Sequence, residues 1–200
     1  MNHETSLPPD RLSDFTQDRR IILLSLLSLV IGLFSTLAAA MLLALIAFIS
    51  NLCFFHTVSF QLLPLTAQQI HHLGGWVILL PAVGGLIIGF MARYGSDKIR
   101  GHGIPEALEA ILFGKSKMSL KVALLKPLSS AVSIGTGGPF GAEGPIIMTG
   151  GALGSLFAQL FHLSAAERKT LLVAGAAGGM AAIFFGANRS RIARRRVAAV

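Results

Sequence analysis

The sequence predicts an all-α polytopic membrane protein with tilted and broken helices. Asp, Glu, Lys and Arg make up only 13% of its 200 residues, whereas a soluble domain carries about a quarter. The 72 residues between Arg20 and Arg93 contain none of these four types. The later apolar segments are short and are interrupted by glycine and proline. These three observations exclude a soluble, disordered or collagen-like protein.

The formal charge of +8 does not indicate a nucleic-acid partner. Five arginines fall within the last dozen residues, so no basic patch is expected on the folded part: Arg189, Arg191, Arg194, Arg195 and Arg196. The single cysteine, Cys53, can build neither a disulfide framework nor a Cys-based zinc site within one chain. We therefore expect no metal and no cofactor.

The first element is residues 1–20, a polar segment of mixed charge. The apolar run 21–55 follows and is too long for a signal peptide. As a helix it would measure about 52 Å against a hydrocarbon core of about 30 Å, so it must tilt or protrude. A second span, 73–92, has Trp76 near its entry, where an interfacial aromatic side chain is favoured. Two crossings are predicted.

Positive residues flank the outer ends of these two spans, and the loop between them has none. This distribution predicts a multi-pass protein of the cell membrane with a cytoplasmic N-terminus. Four lysines are then predicted to lie in a cytoplasmic loop and at the start of the helix that follows it: Lys115, Lys117, Lys121 and Lys126. On the same topology, Arg168 and Lys169 fall on the outside.

Beyond Arg100, several apolar segments are too short to cross a bilayer alone. They cover residues 104–113, 120–134, 145–161 and 171–185. We place a membrane domain at 21–185 and treat 186–200 as a basic, solvated tail outside that fold. Six glycines spaced four apart are expected to pack helices together: Gly85, Gly89, Gly150, Gly154, Gly175 and Gly179.

Two glycine-rich breaks interrupt the chain at membrane depth, and each has a proline that opens a helix. The first contains Gly101, His102, Gly103, Ile104 and Pro105. The second contains Gly141, Ala142, Glu143, Gly144 and Pro145. Irregular backbone is tolerated in a membrane only where it is buried or lines a cavity, and free amides at a helix start attract anions. Both breaks are therefore candidate anion-binding sites.

Glu143 carries the only charge in the second break. A carboxylate there can occupy the site that an external anion would fill, so it can act as a gate that opens on protonation or displacement. The alternative is an ordinary capping carboxylate. Glu106 and Glu109 decorate the start of the helix after the first break, where negative charge is favourable.

The breaks resemble elements of the CLC family of voltage-gated chloride channels and proton-chloride antiporters. The first is similar to the family's Gly-Ser-Gly-Ile-Pro element, the second to Gly-Lys/Arg-Glu-Gly-Pro, and residues 175–184 to the helix that follows. The resemblance implies the first half of a CLC-type inverted repeat that transports chloride or a related small anion across the lipid bilayer, as a channel or in exchange for protons. It also implies Glu143 as gating residue, the amides of Ala142 and Glu143 at the outer anion site, and a homodimer.

The chain departs from the family pattern at two places. His102 stands where the family usually has serine, and it either contacts the anion or bonds to loop backbone. After Phe184 an arginine-rich stretch replaces a further apolar helix, so the alternative to transport is a truncated or frame-shifted fragment that is inactive by itself. An intramembrane enzyme would need a base beside Ser129, Ser130 or Ser133, and only His102 is available, so we expect no enzymatic activity.

Overall fold

The computed structural model describes residues 20–61, 74–96, 99, 103–114 and 116–197, with side chains described up to Phe185. These ranges contain helices and no strand, which confirms the predicted all-α class. In chain order, the helices are α1 (Arg20–Phe55), α2 (Trp76–Tyr94), α3 (Ile104–Leu112), α4 (Leu120–Gly135), α5 (Glu143–Leu160) and α6 (Ala165–Val197).

Helix α1 is the central element of the core. Its 36 residues make a helix of about 54 Å, nearly twice the thickness of a hydrocarbon core. Its middle packs on α4 and α5 through a buried cluster of Ala39, Leu42, Ile46, Ala131 and Ile146. A second cluster joins its first half to α5 and α6. This long helix therefore supports the shorter α4 and α5, which are too short to cross a bilayer alone.

Helices α5 and α6 pack backbone to backbone through glycine. A Cβ atom built on Gly150 would lie 2.9 Å from the carbonyl carbon of Gly175, and one on Gly154 would lie 2.6 Å from that of Leu171. A larger residue at either position would push the helices apart. The predicted packing role is confirmed for these three glycines and for Gly179, which lies against Ile146.

No described residue packs against Gly85 or Gly89 of α2, so for these two glycines the packing role stays a prediction. Within the described part of the chain, nothing lies within 4 Å of a Cβ built on either residue. The packing glycine is Gly84, where a Cβ would lie 2.9 Å from Cβ of Thr136 in the segment after α4. Adjacent residues of a helix point about 100° apart, and the spacing of small residues does not tell which of two neighbouring faces is buried.

Among the described residues, three helices are long and apolar enough to span a membrane: Arg20–Phe55, Trp76–Tyr94 and Ala165–Phe185. The third helix adds one crossing to the two inferred from the sequence. Helix α6 begins six residues before the apolar run 171–185, and this extra length makes it long enough to span. Its first turn is stabilised by a capping box. The backbone N–H of Ser164 donates to Oε2 of Glu167 at 2.8 Å, and the N–H of Glu167 donates to the Ser164 hydroxyl at 3.3 Å.

An ion pair shows which helix ends lie together. Nη1 of Arg20, at the start of α1, is 3.5 Å from Oε1 of Glu167, at the start of α6. Helix α4 begins at this end too, since the last turn of α5 is hydrogen-bonded to the residues just before it. The expectation that Arg168 and Lys169 lie on the opposite side from Arg20 is therefore wrong. Helices α4 and α5 form a hairpin that returns the chain to the side it left.

The backbone of α6 continues as helix through residue 197, beyond the predicted domain boundary at 185. Residues 1–19 and 198–200 lie outside the described residues. The assignment of 1–20 as a cytoplasmic segment and of 186–200 as a solvated tail therefore stays a prediction.

Candidate anion site between two helix starts

The start of α3 is a glycine in a conformation that other residues rarely adopt. Gly103 has φ +97° and ψ −68° and immediately precedes Ile104. A Cβ built on Gly103 would lie 2.8 Å from Cα of Gly144. The two glycine breaks, 40 residues apart in sequence, therefore meet backbone to backbone.

The start of α5 presents unsatisfied amides. The helix begins at Glu143, and its first-turn bond runs from the N–H of Ile146 to the carbonyl of Ala142 at 3.1 Å. Among the described residues, the backbone N–H groups of Ala142, Glu143 and Gly144 have no hydrogen-bond acceptor. This is normal at a helix start. Pro145 has no N–H and costs the helix nothing at this position. These amides can therefore receive an anion.

A cavity of about 610 Å³ lies at the junction of the two breaks. Its walls come from α2, from α4, from the segment after α4 and from both helix starts. The predicted site residues that line it are Ile104, Gly141, Glu143, Gly144 and Pro145. Gly103, Pro105 and Ala142 belong to the helix starts without lining the cavity, and Gly101 and His102 fall outside the described residues. The role of His102 therefore stays a prediction.

The Glu143 side chain is exposed and faces this cavity. None of the described residues forms a hydrogen bond or an ion pair with its carboxylate. Its carboxylate is therefore not held by a capping bond from the described residues.

Glu106 behaves differently. Its Oε2 atom accepts a hydrogen bond from the backbone N–H of Gly103 at 2.7 Å. The sequence predicted only that Glu106 adds favourable negative charge at this helix start. The structure shows that its carboxylate accepts the hydrogen bond of one of the amides there. An anion that binds the Gly103 amide must first displace the Glu106 carboxylate.

Lys126 is the functional candidate that sequence reasoning placed wrongly. Grouped with the lysines of a loop and helix entry, it is instead buried in α4, with 2% of its surface exposed. Its ammonium donates to the carbonyl of Ile99 at 3.3 Å, and Ile99 lines the cavity. The sequence signal was available, because Lys126 falls inside the apolar segment 120–134 rather than before it.

Hydroxyl groups of α4 and of Thr136 directly after it form another part of the wall that was not assigned to anion binding. The sequence had considered the serines of this helix only as nucleophiles. Ser133 is three residues from Ser130 and four from Ser129, so it neighbours both on the helix surface. The lining residues are Ser129, Ser130, Ser133 and Thr136.

Comparison with known proteins identifies the family. The family model described as voltage gated chloride channel matches residues 84–186, just over half of the chain. The chain belongs to the voltage gated chloride channel family. The match includes both helix starts and nearly the whole cavity wall, which confirms the resemblance carried by the glycine breaks.

Individual members of this family align over the same share of the chain. A ClcB-like chloride channel protein of Ralstonia nicotianae is 31% identical over 111 residues, which are 54% of this chain and 26% of that protein. The H(+)/Cl(−) exchange transporter ClcA of Cronobacter sakazakii is 33% identical over 112 residues, 54% of this chain and 24% of its own. ClcA of Citrobacter koseri is 33% identical over 107 residues, covering 53% and 23%. The chain thus spans about a quarter of the length of these curated relatives. No solved structure matches it.

Proposed function

We propose that this chain carries the anion site of a membrane transport protein that moves chloride or a related small anion, as a channel or in exchange for protons. The observation that carries the proposal is the contact of Gly103 with Gly144, which brings two helix starts to one cavity inside a membrane-type fold. Membership of the voltage gated chloride channel family supports the substrate.

The electrostatics of the cavity favour an anion. Each helix start contributes a partial positive charge, worth about 0.3–1 kcal/mol for an exposed anion and more when partly buried. The buried ammonium of Lys126 stands directly behind the wall at Ile99. Much of the remaining lining is apolar, including Pro81, Ile88 and Ile134, so water screens these charges weakly. The site therefore suits a small anion that gives up part of its hydration.

Glu143 is proposed as the gate of this site. Its carboxylate is the negative group nearest in sequence to the free amides of α5 and competes with an external anion for them. Protonation removes the charge and with it the competition. A proton and an anion then occupy the site alternately, which is the chemistry that an exchanger needs and that a channel can use for gating. The relatives bear names of both kinds, chloride channel and H(+)/Cl(−) exchange transporter.

The proposed orientation puts the start of α1 in the cytoplasm of a cell-membrane protein. Arg20, Arg168 and Lys169 lie at the same end of the bundle, and the charge bias of membrane proteins places such an end inside. We further propose that the working assembly is a homodimer with one anion pathway per subunit, as the family resemblance implies.

Anion flux from liposomes tests the proposal. The purified chain is reconstituted, and chloride efflux is followed with a chloride electrode beside protein-free liposomes. Transport predicts efflux well above the empty vesicles. Efflux equal to the empty vesicles, from protein verified as inserted and helical, would instead support the alternative of a fragment that is inactive by itself.

A further inference from the structure

Helix α4 and Thr136, the residue directly after it, place four hydroxyl-bearing side chains on the cavity wall, and two of the hydroxyls are already engaged. The Ser129 hydroxyl donates to the carbonyl of Lys126 at 3.0 Å, and the Thr136 hydroxyl donates to the carbonyl of Val132 at 2.8 Å. Such bonds to the preceding turn are the usual fate of a hydroxyl inside a helix. These two side chains have no donor hydrogen left for a ligand.

Ser130 and Ser133 are different. None of the hydrogen bonds found between described residues involves either hydroxyl. Ser130 is nine-tenths buried, with 9% of its surface exposed, and both residues line the cavity. Three positions apart on one helix, they lie on the same face. The cavity wall therefore holds two neighbouring hydroxyl donors.

A hydroxyl on the wall of a cavity is stabilised when it donates to what the cavity holds, whether water or a solute. An anion is the strongest acceptor for it, because hydrogen bonds to charged groups are about twice as strong as those between neutral groups. Backbone amides at a helix start offer an anion the same N–H groups whatever the side chains are. Hydroxyl groups, in contrast, add a contact that depends on the side chain. Ser130 and Ser133 are thus placed to add a side-chain component to the binding of the anion.

We propose that the hydroxyls of Ser130 and Ser133 donate hydrogen bonds to the anion in the cavity and set its affinity. The inference rests on the proposed function, since it adds ligands to the same site. The proposed role of the two serines does not depend on His102. Ser129 has no proposed role in binding the anion. A halide is the class of ligand that fits, because two single-point donors suit a spherical acceptor.

Equilibrium dialysis of radioactive chloride against the full chain in nanodiscs tests this assignment. We expect Ser130→Ala and Ser133→Ala each to raise the chloride dissociation constant about five- to tenfold, and the double variant to raise it further. Ser130→Thr keeps the hydroxyl and should restore most of the affinity. Ser129→Ala is the matched control, and its change should be less than twofold. Circular dichroism and elution volume verify that each variant is folded.

The outcomes separate the two proposals. If the parent chain binds no chloride, the proposed function of the site fails and the inference fails with it. If the parent binds chloride and the double variant binds it equally well, the proposed function stands, and the two hydroxyls hold only water. Equal losses in Ser129→Ala and Ser130→Ala would show a general disturbance of α4 and would overturn the assignment to particular hydroxyls. A small loss in Ser130→Ala that Ser130→Thr does not reverse would overturn it too.

Discussion

The backbone of Gly103, at the start of α3, lies directly against the backbone of Gly144, in the first turn of α5. This contact places two helix starts at one cavity and leaves no room for a side chain on Gly103. It also connects the two carboxylates of the site. Glu106 bonds the Gly103 amide, and Glu143 is the residue before Gly144. The contact makes the first prediction a test of the architecture itself.

Gly103→Ala should destabilise the protein by about 1–3 kcal/mol or prevent folding. A Cβ would lie 2.8 Å from Cα of Gly144, and alanine is strained at a φ of +97°. Gly141→Ala is the control, since no described residue lies within 4 Å of a Cβ there. Thermal unfolding in detergent measures both. Equal melting temperatures for Gly103→Ala and the parent would contradict the close contact.

Glu143→Gln should abolish the pH dependence of anion movement while movement itself persists. Glutamine has nearly the shape of the protonated glutamate and carries no charge, so it leaves the amides of α5 open to the anion. Proton coupling, where the parent has it, should vanish. The measurement is anion flux against external pH, in this chain or in one extended by the remainder of the family fold.

A capping role for Glu143 predicts another result. The loss of a helix-start charge would then lower stability by about 1 kcal/mol or less and leave the pH profile of flux unchanged. An unchanged profile in a well-folded Glu143→Gln protein therefore rejects the gate.

Lys126→Met should weaken both folding and chloride binding. The buried ammonium donates to the carbonyl of Ile99, and leaving that carbonyl unpaired costs about 1–3 kcal/mol. Removal of a positive charge behind the cavity wall also lowers the attraction for an anion. Lys121→Met, on an exposed residue of the same helix, should change neither property. Unfolding curves and chloride dialysis on both variants check this, and equal behaviour of the two would show that burial gives Lys126 no special role.

His102→Ser should change anion selectivity if the imidazole contacts the anion. A cationic imidazole strengthens anion binding below its pKa, ordinarily about 6.5, whereas a serine hydroxyl does not titrate in this range. Permeability ratios for chloride, nitrate and fluoride at pH 5.5 and 7.5 measure the effect. Ratios that are the same in both forms would support a histidine bonded only to loop backbone.

The helix boundaries were predictable where composition changes abruptly. The long α1 ends at Phe55, where the sequence places the end of the apolar run, and α3 begins at Ile104, directly after the glycine of the first break. The start of α6 was not predictable from hydropathy. Its first turn carries charged residues, among which Glu167 is bonded to Ser164 and paired with Arg20.

Sequence alone determined that this is an all-α membrane protein, that its backbone breaks at two glycine-proline elements, and that Glu143 stands at one of them. Each of these follows from local composition and from the conformations that glycine and proline permit. Only the tertiary structure decided that the two breaks touch, that Lys126 is buried behind the cavity, and that Ser130 and Ser133 face into it. Those facts depend on the rotation and depth of α4 relative to its neighbours. Packing between helices sets both, and no periodicity within one segment records it.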